Sequence, residues 1–426
     1  MEELEIGKMD ALVTLTDSDE INMITCSLVD AVYPDVLKIA RVRNYAYYAN
    51  TNTTARQHAE TFKGNHRPLY GIDYMIHPDV EAAQAIVKAV EHGAISDIVD
   101  FGENGDFEII ALQIEKGSKL DGAALKNIRS LTDKKFLIVY QETKEKDSDN
   151  MISALPSGET ILNAGDRIGI IIEKENIPFI LELCGIKTDA IKKIALVGIG
   201  RIGTIVADKI IEKDKVSFLK KIFTGTKNIS QTFTIIDSDK NLCKEAEKKF
   251  PQAQIFNADI TDDVFIEEEG IQKYNLVICA THNHELNMVV SAYLESLGVE
   301  KTIALVAQSQ FGNIARKLGV DVAIPMRDTL VDSIISHLHG KSVTGIHTVS
   351  NGAFEIVECD LPSSSKFIGK QLKDIASPGE YLILLVKKIG SEKFELPQGN
   401  TTFSVGDHLV IIEKTGDKKI LEKFSK

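Results

Sequence analysis

No stretch of the chain approaches the roughly 20 consecutive apolar residues that a membrane-spanning helix needs. The longest apolar runs, such as YLILLV at 381–386, are of strand length. The amino-terminal MEELEIGKMD is acidic and has no apolar core, so it does not read as a signal peptide. Positive charge is also short. Lys and Arg number 49 against 62 Asp and Glu, a net charge of −13, which argues against the basic footprint that nucleic acid requires. The five cysteines (Cys26, Cys184, Cys243, Cys279, Cys359) show no CxxC spacing, and reduced, mostly buried thiols are expected rather than a disulfide framework. No GxSxG, HExxH, P-loop or paired catalytic carboxylates stand out. What remains is 43% apolar and 26% charged, an ordinary soluble composition. At 426 residues the chain suggests two to four domains. The expected place is the cytoplasm, unless a partner holds the protein at a membrane.

What is present is a long internal repeat. TDSDEINM at 16–23 returns as THNHELNM at 281–288, 265 residues later. YGIDYMIHPDVEAAQAIV (70–87) matches LGVDVAIPMRDTLVDSII (318–335), and GDFEIIALQIEKGSKLDGAALKNI (105–128) matches GAFEIVECDLPSSSKFIGKQLKDI (352–375). LPSGETILNAGDRIGIIIEK (155–174) matches LPQGNTTFSVGDHLVIIEK (396–414). The order holds throughout while the offset drifts only from 265 to 241, so the chain is a tandem duplication.

Each copy has two parts. In the second copy, short apolar runs without period-two alternation (192–198, 232–237, NLVICAT, TIALVA) alternate with segments of helical spacing. That pattern predicts a parallel sheet covered on both faces, a doubly wound, Rossmann-like lobe. From about Ser342 the runs shorten and are separated by turn signals (NG, PGE, PQGN, VGD), predicting a small, strand-rich α+β lobe. MRDTLVDSIISHLHG (326–340) has apolar residues at helical spacing and reads as a helix joining the two parts. The first copy has nothing opposite about 73 residues of the second, Lys193 to Phe265, and so lacks three strands and any glycine-rich turn. Either coding sequence lies upstream of Met1 or the segment is lost; both readings stand. The expected division is 1–92, an incomplete first Rossmann lobe with its linker helix; 93–178, the first small lobe; 190–340, the complete Rossmann lobe with its linker helix; and 341–426, the second small lobe.

GIGRIG at 198–203 has the form GxGxxG, closes an apolar strand and opens a helix. Gly198 permits the tight turn, Gly200 lets a pyrophosphate approach the backbone, and Gly203 lets helix and strand pack closely. The helix start then offers free N–H groups to phosphate. A tight turn without a ligand is the competing reading. Asp237, ending the second strand, is the candidate for a ribose 2′-OH, or alternatively a loop or N-cap acid. Gly203 and Asp237 are 34 residues apart, against a usual spacing of about 20, so SFLKKIFTGTKNIS (217–230) reads as an insertion. An acid there favours NAD or ATP over NADP. Thr281 and His282 follow the fourth strand, at the crevice where such folds bind ligands. His282 and His284 invite a metal reading, which the repeat opposes because the matching residues are Asp17 and Asp19. No substrate domain with an acid or base is evident, a pattern that suits a ligand sensor more than a hydride-transfer enzyme.

With VGIGRIG, TDSDEINM, IARVRN (39–44) and the two LPxG…GDxL/I segments in view, the chain resembles the TrkA family of potassium uptake proteins, built from tandem RCK (KTN) domains. The resemblance spans essentially the whole chain. It implies tandem Rossmann-like RCK N-lobes, the first incomplete, each followed by a small α+β RCK C-lobe. It implies a non-enzymatic regulator, peripheral on the inner face of the cytoplasmic membrane, that forms a homo-oligomeric ring, typically a tetramer. The ring would sit beneath a membrane potassium-translocating subunit of the TrkH/TrkG type and gate it on binding NAD(H), or ATP or ADP. By position the contacts are Gly198, Ile199, Gly200, Arg201, Ile202 and Gly203 at the turn, Asp237 on the ribose, and Thr281 with His282. In the first copy they are Thr16, Asp17 and Arg41, where Arg41 pairs with a phosphate or is a surface arginine. The sequence departs from the family pattern at Ala258, where glycine is common, and at His282, a position usually small or acidic. The linker helices at about 78–92 and 327–339 are expected to be subunit contacts, because their apolar stripes need covering. An RCK-type regulator of another transporter and an NAD-dependent oxidoreductase are the alternatives.

Overall fold

The fold is described from a computed structural model. It covers residues 5–44, 46–47, 69–91, 96–101, 106–128, 132, 134–145, 151–186, 192–211, 232–338, 343–350, 352–377 and 379–416. The insertion expected at 217–230 lies outside the described residues.

In chain order the first copy supplies β1 (Ala11–Thr14), α1 (Asp19–Val32), β2 (Leu37–Arg41), β3 (Tyr74–Ile76) and α2 (Pro78–Glu91). β4 (Ser96–Phe101), β5 (Phe107–Gln113), β6 (Phe136–Lys144), β7 (Met151–Ala154), β8 (Arg167–Glu173) and α3 (Ile177–Leu183) follow. The second copy begins with β9 (Lys193–Val197), α4 (201–211), β10 (Thr232–Asp237), α5 (Lys240–Lys249), β11 (Gln254–Asn257) and α6 (Asp263–Glu269). It continues through β12 (Leu276–Cys279), α7 (His284–Ser296), β13 (Lys301–Val306), α8 (Ser309–Lys317), β14 (Val322–Pro325) and α9 (Met326–Leu338). β15 (Val343–Val349), β16 (Phe354–Asp360), β17 (Tyr381–Lys387) and β18 (His408–Lys414) end it.

These elements cluster into two compact units, one of residues 1–94 with 191–338, the other of 95–190 with 339–426. The first unit holds a parallel six-stranded sheet of order β11-β10-β9-β12-β13-β14 and a parallel three-stranded sheet of order β1-β2-β3. The six-stranded order reverses between β9 and β12, the switch point at which open α/β sheets bind ligands. Both faces of this sheet are buried, which is why its strands show no alternation. Ile194 and Leu196 face a core shared with Val206, Ala207 and Ile210 of α4. Ala195 and Val197 face the opposite core with Ile266, Val290 and Leu294.

The linker helices depart from expectation. The apolar stripe of α2 (Ala82, Ala83, Ile86, Val87) is buried in the core of the six-stranded sheet, which belongs to the other copy. In exchange, Ile334 of α9 joins Ile39 and Ile76 of the three-stranded sheet, with Leu330 and Leu338 packed alongside. Each copy's helix therefore caps its sister's sheet. The α2 stripe is thus covered from within the chain, whereas the α9 stripe is covered in part: Ile334 is buried and Val331 is 42% exposed.

The second unit pairs two antiparallel sheets of matching core topology, β4-β5-β8-β6-β7 and β15-β16-β18-β17. Alternate residues of β5 divide between two cores. Phe107, Ile109 and Ala111 meet Phe354, Ile356 and Ile412 of the other sheet, while Ile110 and Leu112 turn toward Ile180 of α3. All five cysteines are free and buried, and burial pushes the thiols of Cys184, Cys279 and Cys359 up to about 12.

Candidate functional site

The glycine-rich turn lies where β9 gives way to α4, beside the carboxyl ends of β10 and β12. Its three glycines stand for three different reasons. Gly198 has φ of +94°, and a Cβ there would meet the Thr281 backbone nitrogen at 2.8 Å. At Gly203 a Cβ would fall 1.9 Å from the Gly198 carbonyl oxygen, so only glycine lets α4 sit this close to the turn. At Gly200 a Cβ would meet nothing within 4 Å. The fold itself has no steric need of glycine there; its effect is to keep backbone open to the space in front.

That space is a cleft of about 710 Å³ lined by Gly198, Gly200, Arg201, Ile202, Asp237, Thr281 and His282, within the range of small-molecule and cofactor sites. The side chain of Ile199 is buried in the core instead, and only its N–H turns to the site. Gly203 lies beneath the turn rather than on the cleft wall. Asp237 ends β10 with both carboxylate oxygens engaged: Oδ2 accepts from Ile199 N–H at 2.8 Å and Oδ1 from Asp239 N–H at 2.8 Å. A ribose diol would meet an acid already aimed by these two donors. Asp239 in turn caps α5, accepting from Asn241 N–H at 2.7 Å.

The repeated octet is explained by a clasp that sequence reading missed. Buried Asn287 accepts from the Thr281 N–H (3.0 Å) and hydroxyl (2.6 Å), and donates to the Thr281 and Leu305 carbonyls at 3.0 Å each. Asn22 does the same in the first copy, with Thr16 (2.9 and 2.7 Å) and the carbonyls of Thr16 and Arg41. Asn283 and Ser18 cap the following helices, accepting from Leu286 and Ile21 N–H. Thr, cap and Asn recur because they fix the strand-to-helix corner. An asparagine inside an otherwise apolar helical stripe, kept in both copies, was the available signal.

His282 stands exposed on the cleft, and His284 Nδ1 lies 3.4 Å from the Leu305 carbonyl. Among the described residues no group of three or more His, Cys, Asp or Glu could hold a metal ion. In the first copy Thr16, Asp17 and Arg41 do come together. Arg41 Nη2 donates to the Thr16 carbonyl at 2.9 Å and to Asp17 at 3.3 Å, and Arg43 approaches Asp17 at 3.6 Å. The chain's own oxygens thus engage Arg41 Nη2 and Arg43, while the buried Arg41 Nε has no hydrogen-bond partner among the described residues.

The cleft also includes residues absent from the sequence-based set. Met326 of α9 and Asp79 of α2 line it, as do Asp239 and Asp259. Thr261, through its backbone N–H and its hydroxyl, holds the Asp259 carboxyl below its ordinary range. Asp79 Oδ2 lies 3.2 Å from Arg201 Nε. Spacing gave no sign of Asp79, because it reaches the site only through the exchange of linker helices.

The TrkA-N domain model matches residues 1–63 and 194–325, and the TrkA-C domain model matches 356–425. A Trk system potassium uptake protein TrkA homolog of Methanosarcina mazei is 25% identical over 423 residues, spanning 98% of this chain and 86% of the relative. The homolog of Archaeoglobus fulgidus is 25% identical over 419 residues, with 98% and 86% covered. Among solved structures, the GsuK RCK domain aligns at 16% identity with a TM-score of 0.48, covering 99% of this chain and 81% of that one. The GsuK channel bound to NAD aligns at 16% and 0.49, covering 99% and 67%.

Proposed function

The chain belongs to the TrkA family, and from that premise we propose that it is a regulatory subunit that senses a nucleotide and gates a membrane potassium-translocating partner. The observation that carries the reading is Gly200: a glycine the fold does not require, facing an open cleft at the start of α4. A larger residue would fill the place where a pyrophosphate meets the helix N-terminus.

In this reading Gly198, Gly200, Arg201 and Ile202 hold the phosphates. Asp237 takes the ribose hydroxyls, and Thr281 with His282 borders the far end. A carboxylate at the ribose position repels a 2′-phosphate, which favours NAD(H) over NADP. At about 710 Å³ the cleft lies within the range of cofactor sites, and NAD(H) is its proposed occupant, with ADP or ATP as alternatives. The partner is the potassium-translocating subunit implied by the names of the relatives. No helix among the described residues is long and apolar enough to cross a membrane; attachment through that partner is part of the proposal. The chain works as a homo-oligomeric ring of four-lobed subunits. The ligand shifts transport by its differential affinity for two arrangements of the lobes, and a coupling of about 1–3 kcal/mol suffices for regulation.

Calorimetric titration with NAD, NADH, ADP and ATP, beside Gly200→Asp, tests the proposal. One site per chain, abolished by the substitution, supports it. Absence of binding to the wild-type chain would overturn it. Potassium uptake in cells that depend on this protein, compared with and without Gly200→Asp, tests the partner.

A further inference from the structure

We infer that Asp79 is an internal counter-anion of the nucleotide cleft: it occupies Arg201 when the phosphate position is empty and biases the site against highly charged nucleotides. The inference rests on the nucleotide reading above and adds to it a selectivity and a regulatory contact.

The two partners are held very differently. Asp79 sits in the first turn of α2, behind Pro78. Its N–H donates to His77 Nδ1 at 3.2 Å, and the Val80 and Glu81 N–H groups donate to the His77 carbonyl. The rest of α2 is anchored in the core of the other copy, with Ala82, Ala83 and Ile86 fully buried. The Asp79 side chain is 15% exposed, so the carboxylate is presented at a fixed place. Arg201 springs from the glycine turn and is 75% exposed. A pair with one member this solvated is weak, and Arg201 is free to turn to a better anion.

Charge then decides which anion. Among the described residues, Asp79, Asp237, Asp239 and Asp259 line the cleft together with a single arginine, Arg201. When a phosphate takes Arg201, Asp79 is left without its cation and faces the ligand. The cost grows with ligand charge, so a dinucleotide pyrophosphate is tolerated better than ADP, and ADP better than ATP. The same exchange removes the Asp79–Arg201 ion pair, while the first turn of α2 stays held through His77. Nucleotide occupancy and the Asp79–Arg201 contact are therefore coupled, and the coupling is reciprocal.

The test is titration calorimetry of the full chain, without divalent cations, with NAD, ADP and ATP. Wild type is compared with Asp79→Asn, Arg201→Gln and the double variant, with thermal unfolding as a check on folding. Asp79→Asn is expected to tighten ATP most, ADP less and NAD least, by roughly two- to fivefold for ATP. Arg201→Gln is expected to weaken all three, and the gain from Asp79→Asn is expected to shrink in its background. Wild type that binds while folded Asp79→Asn shows unchanged, weaker or ungraded affinities would overturn the inference and leave the nucleotide reading standing. Wild type that binds none of the three would overturn both.

Discussion

The Ile199 N–H donates to Asp237 Oδ2 across 2.8 Å, tying the glycine-rich turn to the acid that ends the neighbouring strand. Asp237 thereby sets the height of the turn as well as being the acid proposed for the ribose hydroxyls. Asp237→Asn keeps one acceptor and puts an amide N–H₂ against either the Ile199 or the Asp239 N–H. Dinucleotide affinity is expected to fall roughly tenfold or more, the worth of a hydrogen bond to a charged group. Calorimetric titration of the variant checks this.

The glycines separate folding from binding. Gly203→Ala forces a Cβ to 1.9 Å from the Gly198 carbonyl, and the backbone there cannot yield cheaply. A loss of about 3 kcal/mol or more, or failure to fold, is expected. Gly200→Ala meets no neighbour, so its thermal unfolding is expected to stay within about 1 kcal/mol of wild type while nucleotide binding weakens. Unfolding curves and titrations of the two variants side by side read both effects.

The two asparagine clasps are expected to be equivalent in stability and unequal in function. Asn22→Ala and Asn287→Ala each orphan buried backbone groups, costing about 1–3 kcal/mol by denaturant unfolding. Only Asn287 sets Thr281 on the cleft wall. Nucleotide affinity is accordingly expected to fall with Asn287→Ala and to survive Asn22→Ala.

A pH dependence follows from the second small lobe. His408 Nδ1 lies 2.7 Å from Asp360 Oδ1, and its Nε2 lies 3.4 Å from Glu358. Glu358 also faces His347 at 3.4 Å, and Lys387 is the cross-strand neighbour of His408 on β17. Burial pushes Glu358 up, but the hydrogen bonds and charges of the two histidines outweigh it and bring the carboxyl down to about 2. Burial pushes His408 down, and its bonds to Glu358 and Asp360 outweigh that and raise it. The depressed carboxyl contributes stability that is complete above 4.5 and is lost as pH falls toward 2. The raised histidine contributes stability that is complete below 6.5 and is lost as pH rises through its folded value. The contribution of this cluster is therefore expected to be greatest between pH 4.5 and 6.5. At the matching place in the first small lobe stands Arg167, 3.2 Å from Glu142. His408→Arg should carry the stabilisation past pH 8, whereas His408→Gln should remove about 1–3 kcal/mol at pH 6. Scanning calorimetry across pH reads both.

Much of this was legible in the residues. Apolar strands without alternation foretold a two-faced sheet, and Gly198, Gly200, Asp237 and Thr281 border one cleft, Asp237 despite a spacing longer than the usual one. What escaped was whatever depends on one copy meeting the other. Helical periodicity says that Ala82, Ile86 and Ile334 share buried stripes, but it is silent about which sheet buries them. Taken alone, the stripes point equally to another subunit. For the same reason nothing in the spacing marks Asp79. The Thr–Asn clasps leave a trace in the repeat, but polarity at a helix start is so commonly capping that it does not single out Asn22 and Asn287.

The helix exchange has a cost in time during synthesis. Ile86 leaves the ribosome long before its packing partners Ile303 and Ile324 exist. At about 5–20 residues per second the wait is roughly ten to fifty seconds. Throughout it the α2 stripe is bare apolar surface on a nascent chain. The three-stranded sheet waits longer still, since Ile39 and Ile76 are covered only when Ile334 arrives. The duplicated halves of the first unit thus do not mature one after the other. They close together only once α9 has been made, and a chain released before then would offer both uncovered faces to chaperones and proteases.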